Sequence, residues 1–152
     1  MRLSKRGEYG LRAMIFLAGE SVHPRIVQLK EISEHEKIPA KFLEQILFAL
    51  KNAGLLHSKM GNGGGCYLVK PASEITLGQI FRVLDGPLAP IHCVSEMAYE
   101  PCICPDEKSC GLRLVMNDVR NALITILDHT SLADVAKRQD DVRSLMAFTE
   151  QH

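Results

Sequence analysis

From Leu3 onward the apolar residues Leu11, Met14, Ile15, Leu17 and Ala18 recur at intervals of three and four, with Arg6, Glu8 and Arg12 on the other faces. That period predicts an amphipathic helix with a basic face, interrupted by Gly19 and Pro24. Residues 29–36 predict a short second helix and Lys37-Ile38 a tight connection. Pro39, whose missing N–H has no partner to lose at the first helical position, opens a third helix that runs to about Ala53 and stops at Gly54. The stripe of this third helix is Phe42, Leu43, Ile46, Leu47 and Leu50, which leaves Lys41, Glu44, Gln45, Phe48 and Lys51 on or near the opposite face. Two short helices joined by a tight turn form a helix-turn-helix pattern.

After it, Leu55 to His57 and Tyr67 to Val69 read as short strands joined by a polar, glycine-heavy tip from Lys59 to Gly65. A hairpin directly behind a recognition helix is a wing. Thr76 to Leu84 predicts another helix, ended by Gly86-Pro87, and residues 90–111 predict an irregular loop. From Leu112 to about His129 the spacing of Val115, Val119, Leu123 and Ile126 marks a long amphipathic helix. Its own small domain cannot cover that stripe entirely, so a second copy of the helix in a homodimer is the expected partner, with ordinary core packing as the alternative. Ser131-Leu132-Ala133-Asp134 has capping-box spacing and opens a last short helix, with a tail expected to fray after Asp140.

The expected fold class is therefore mainly α with a small β-hairpin wing. Residues 1–85 form a winged helix-turn-helix unit, 86–111 a cysteine-bearing loop, and 112–152 a dimerisation helix and C-terminal tail. A chain of 152 residues with 46% apolar composition supports one good core. No apolar run approaches the roughly 18 to 20 residues that span a bilayer, and the basic opening Met1 to Arg6 leads into an amphipathic segment. A cytoplasmic protein without membrane contact is expected.

Eighteen basic and eighteen acidic side chains cancel, which argues against a polyanion partner until the two halves are separated. Residues 1–72 carry 11 Lys/Arg against 6 Asp/Glu, and residues 73–152 carry 7 against 12, so the halves are net +5 and net −5. Double-stranded DNA is then the expected partner of the first half. Gln can bridge adenine and Glu can accept from cytosine, so Lys41, Glu44 and Gln45 are candidates to face a major groove. Lys5, Lys30, Lys51 and Lys59 are candidates for phosphate contacts, and Asn62 with its glycine neighbours for a wing contact in a minor groove. For any single charge, a solvated helix face is the competing reading.

Cys93, Cys102, Cys104 and Cys110 fall within 18 residues, with Pro101 and Pro105 among them and Gly111 directly after. That is a ligand cluster far more than a packing pattern. Thiolates favour soft and borderline metals, so an iron–sulfur cluster, structural zinc and a metal-free thiol switch all remain open, whereas a structural disulfide does not suit a cytoplasmic chain. Cys66, in the wing, reads as a small, partly buried residue.

The opening Met1 to Gly10, the segment Leu43-Glu44-Gln45-Ile46-Leu47, the run Gly61-Asn62-Gly63-Gly64-Gly65 and the closing Thr130 to Asp134 together resemble the IscR/NsrR family of winged-helix bacterial regulators, over residues 1 to about 137. The resemblance implies a dimer, a long helix crossing its partner, and a cysteine loop holding a two-iron or four-iron cluster that senses cluster supply, iron, nitric oxide or redox state. It also implies three cysteines separated by five residues each. Cys104 and Cys110 have that gap, Cys93 and Cys104 have ten residues between them, and the set Cys93, Cys102 and Cys110 has gaps of eight and seven. The choice between Cys102 and Cys104 stays open.

Where relatives place a histidine ligand after the last cysteine, this chain has Arg113. Glu8 of the partner's first helix is the carboxylate that the resemblance offers instead, and His92 is a further candidate. The wing departs from the family pattern at Met60 and Cys66. The expected function is a DNA-binding regulator, typically a repressor, controlled by an iron–sulfur cluster. Zinc, a thiol switch or no cofactor are the alternatives, and a zinc-stabilised interaction adaptor is a more distant one. No Cys-x-x-Cys redox pair, phosphate loop or nucleophile–base arrangement points to an enzyme.

Overall fold

The computed structural model describes residues 2–21 and 25–150. Six helices and one hairpin follow in order: α1 (Lys5–Glu20), α2 (Leu29–Glu36), α3 (Ala40–Asn52), β1 (Leu56–Lys59), β2 (Gly65–Leu68), α4 (Leu77–Leu84), α5 (Gly111–Asp128) and α6 (Leu132–Glu150). Short 3-10 turns at Ala72–Glu74 and His92–Val94 interrupt the connecting segments. The fold is mainly α with a two-stranded antiparallel wing, as the residue pattern predicts.

The boundaries have local causes. The Ser4 side chain caps α1 by accepting from the Gly7 amide at 2.9 Å, so the helix starts at Lys5 and not at Leu3. Gly19 does not interrupt it, and Pro24, expected to, lies outside the described residues. Lys37 turns the chain through the left-handed region at φ 54°, and the Ser33 hydroxyl donates to the Ile38 carbonyl at 2.6 Å, which tightens the link between α2 and α3. Pro39 sits one residue before α3 with ψ 127°, as its cap and not as its first residue. Thr76 and Gln79 close a reciprocal capping box at the start of α4.

The core gathers Ala13, Met14, Leu17 and Ala18 of α1, Ile32 of α2, Leu43, Ile46, Leu47 and Leu50 of α3, and Ile80 and Leu84 of α4. Gly10 lets α4 approach α1 closely, since a Cβ there would lie 2.0 Å from the Leu84 side chain. An isolated antiparallel bridge, Val27 to Cys66, docks the wing on the segment before α2.

Two further expectations need correction. The strands lie nearer the hairpin tip than expected, with Lys59 paired to Gly65 inside the ladder. The last helix is not short and its end is not frayed: α6 runs 19 residues to Glu150. The capping box at its start is present, with the Ser131 hydroxyl accepting from the Asp134 amide at 3.1 Å and Asp134 Oδ2 accepting from the Ser131 amide at 2.8 Å. Leu132 is fully buried and joins the same core as the winged unit, and its amide donates to the Ile75 carbonyl at 2.9 Å. From Lys137 onward every described residue of α6 is exposed, and no residue of α5 is buried.

Candidate DNA-facing surface and cysteine loop

On α3 the buried stripe faces the core and the opposite face is open. Lys41, Glu44, Gln45 and Phe48 line one shallow groove of about 430 Å³. Lys51 continues that face and is exposed. Lys59 closes β1 and Asn62 lies at the wing tip, both exposed. Lys30 is exposed and loosely paired with Glu34 at 3.8 Å. Lys5 is the most engaged of the candidate cations: its ammonium meets Glu8 at 3.0 Å and lies 5.5 Å from the Tyr9 ring centre. Arg12, also against the Tyr9 ring, reaches Glu8 at 3.6 Å and Glu36 at 3.1 Å.

Glu8 is thus held between two cations. The hydrogen bond from Lys5 is the first reason its carboxyl lies below the ordinary carboxylate range, with the charges of Lys5 and Arg12 adding to it. It stays ionised and is not among the residues lining the cysteine loop of its own chain.

The four loop cysteines come together as a set. Cys93, Cys102, Cys104 and Cys110, with His92 and Arg113, line a hollow of about 370 Å³ at the foot of α5. All are free thiols; Cys93 is buried, Cys102 and Cys110 are half-buried and Cys104 is exposed. Cys104 interacts with both Cys102 and Cys110, and hydrogen bonding with Cys102, followed by its charge, holds the Cys104 thiol above its ordinary range. Among the described residues no three His, Cys, Asp or Glu side chains already converge tightly enough to grip one metal ion. The chemistry of the donor set fits a thiolate-bound centre, and the loop must tighten to hold it.

Two arginines, neither of them expected from the sequence as an anchor, set the loop on α5. Arg113 donates through Nε to the Cys93 carbonyl at 3.2 Å and pairs with Glu107 at 3.4 Å. Glu107 also accepts from the Tyr99 hydroxyl at 2.8 Å. One heptad along, Arg120 donates to the Val94 carbonyl at 2.7 Å and pairs with Glu96 at 3.1 Å. Their seven-residue spacing puts both on one helix face, a signal present in the sequence. The far end of α5 is tied to α4 by a two-pronged contact, Arg82 to Asp128 at 2.6 and 2.9 Å. Asp85, at the end of α4, accepts from the Ser4 amide at 2.9 Å and from the Ser4 hydroxyl, anchoring the start of α1.

Cys66 is apart from this set. It is buried under the wing, its thiol donates to the Val27 carbonyl at 3.7 Å, and burial pushes its pKa up to about 11. Burial and a raised pKa both fit a packing role for this sulfur.

Known proteins resemble this chain in sequence and in fold. The Rrf2 family, described as iron-dependent transcriptional regulators, matches residues 3–138. The regulator CymR of Bacillus subtilis is 33% identical over 153 residues, covering 97% of this chain and 99% of that protein. Its structure, that of the global cysteine regulator of B. subtilis, superposes with a TM-score of 0.76 over 91% of this chain and 98% of that one. NsrR of B. subtilis is 27% identical over 150 residues, 99% of this chain and 100% of that protein. The structure of T. potens IscR is 28% identical and superposes at TM-score 0.73 over 93% of this chain and 90% of that one. With the winged helix-turn-helix, the family match and these full-length relatives in agreement, the chain belongs to the Rrf2 family of DNA-binding transcriptional regulators.

Proposed function

We propose that this chain is a homodimeric regulator whose operator affinity is set by an iron–sulfur cluster held in the 91–111 loop. The observation that carries the proposal is the convergence of Cys93, Cys102, Cys104 and Cys110 on one hollow against the first turn of α5. A cluster bound there supplies a centre that changes with iron supply, oxidants or nitric oxide. Several thiolates crowded together repel one another, and a cationic centre bound among them would relieve that repulsion.

The protein's own part is mechanical. Tightening the loop around its thiols pulls on the Cys93 and Val94 carbonyls, which Arg113 and Arg120 tie to α5. The Arg82–Asp128 contact carries a shift of α5 to α4, which packs on α1 and α3. The exposed apolar residues of α5 favour a second copy of the helix across from it, so the loop sets the spacing of two recognition helices. Only a difference in affinity between the two arrangements shifts their populations. In this reading Lys41, Glu44 and Gln45 face bases, Lys5, Lys30, Lys51 and Lys59 face phosphates, Asn62 enters a minor groove, and the partner's Glu8 supplies the remaining ligand.

A second reading, a thiol switch in the same fold, is favoured by the mutual contact of Cys104 with Cys102 and Cys110 and by the similarity to a global cysteine regulator. The deciding experiment is an anaerobic visible spectrum of the freshly purified protein, with iron, zinc and acid-labile sulfide measured per dimer. Visible charge-transfer absorption accompanied by iron and sulfide is the expected result. Zinc alone, or no metal after anaerobic reconstitution, overturns the cluster and leaves the regulator standing.

A further inference from the structure

We infer that Phe48 reads sequence, by packing its ring against the 5-methyl group of a thymine in the major groove. The inference rests on the reading of α3 as the recognition helix and goes beyond it to the base. Phe48 is 63% exposed, whereas Leu43, Ile46 and Leu50 on the same helix are fully buried, so its position serves no core. It shares its groove with Lys41, Glu44 and Gln45, and the four stand at i, i+3, i+4 and i+7 along one helix face. That is the spacing at which homeodomain helices lay four side chains on a major groove. Seven residues advance about 10 Å along a helix, or roughly three base-pair steps of 3.4 Å.

The chemistry narrows the partner. A phenyl ring neither donates nor accepts a strong hydrogen bond and carries no charge, which removes phosphates and the polar base edges. The thymine methyl is the one apolar group displayed in the major groove, and Phe is among the side chains suited to it. Lys41, Glu44 and Gln45 would fix the register by polar contacts, with Phe48 discriminating the base pair at one end of their span.

The experiment selects duplexes from a random library with the full-length protein, then replaces thymidines one at a time by deoxyuridine, which deletes only the methyl. The expected result is one thymine per half-site at which wild type loses about four-fold in affinity, the worth of one buried methyl. Phe48→Ala should bind the thymine and uracil duplexes alike, and Phe48→Leu should keep part of the discrimination. Because the side chain is exposed, an unchanged thermal midpoint shows that both variants fold. The inference is overturned if no thymine is methyl-sensitive, or if Phe48→Ala weakens thymine and uracil duplexes equally or leaves both unchanged; in those cases selective binding still supports α3 as a DNA reader. Absence of any selective duplex binding overturns the reading of α3 and the inference with it.

Discussion

Gly65 takes φ 156°, and a Cβ built on it would lie 2.2 Å from the Val27 carbonyl oxygen, a backbone atom with nowhere to go. The glycine therefore permits the bridge between Val27 and Cys66 that seats the wing. Gly65→Ala should destabilise the fold by about 1 to 3 kcal/mol, the usual cost of overpacking, measured by urea denaturation. The wing should also open locally, so that Cys66, whose burial and pKa of about 11 should slow alkylation at neutral pH in the wild type, becomes reactive before global unfolding. Cys66 was legible as a small, partly buried residue, but its full burial and what it touches were not: its partner Val27 is 39 positions away.

At the scale of elements, hydrogen-bonded ends and arginine clamps decide which pieces move together. The Arg82–Asp128 contact joins α4 to α5, and its hydrogen bond is the first reason the Asp128 carboxyl lies below its ordinary value. A carboxylate with a depressed native pKa adds stability above its unfolded value, about 3.9, and loses that contribution as pH falls through the native value. Asp128→Asn should lower stability by about 1 kcal/mol or less at neutral pH, the pair being partly solvated, and should narrow the gap to wild type on acidification. Thermal melts from pH 7 to pH 3 check both parts; a gap that widens in acid would contradict the assignment. Helix caps at Ser4, Thr76 and Ser131 follow from local residue types, so the starts of α1, α4 and α6 were nearly right from sequence. The end of α6 was not, because a chain end is expected to fray and the apolar Val142, Leu145 and Met146 there stay exposed and join no core of this chain.

For the whole molecule, the unspent surface is the argument. Val115 is 56% and Ile126 62% exposed on a helix that buries no residue within its own chain. A second copy laid on this face would remove them from water. Val115→Lys with Ile126→Lys should give a folded monomer by sedimentation at concentrations where the wild type is dimeric. Its affinity for a two-half-site duplex should fall by about 100-fold or more, since the second half-site is no longer held at high local concentration. A double variant that remains dimeric with unchanged affinity would return α5 to the role of ordinary scaffold.

Local residue order determined the helix-turn-helix, the wing, the caps and the presence of a thiol-rich loop, because helical period, turn chemistry and cysteine spacing act over a few neighbours. It also separated the basic half from the acidic half through the cancelling net charge. Tertiary structure decided what no local pattern encodes: that all four loop thiols share one hollow, that Arg113 and Arg120 hang the loop on α5, and that Leu132 returns α6 to the core of the winged unit. The thiols lie within 18 residues but on irregular backbone that no period describes, and the other contacts join residues 20 or more positions apart, where distance is set by the packing of whole helices and not by the sequence between them.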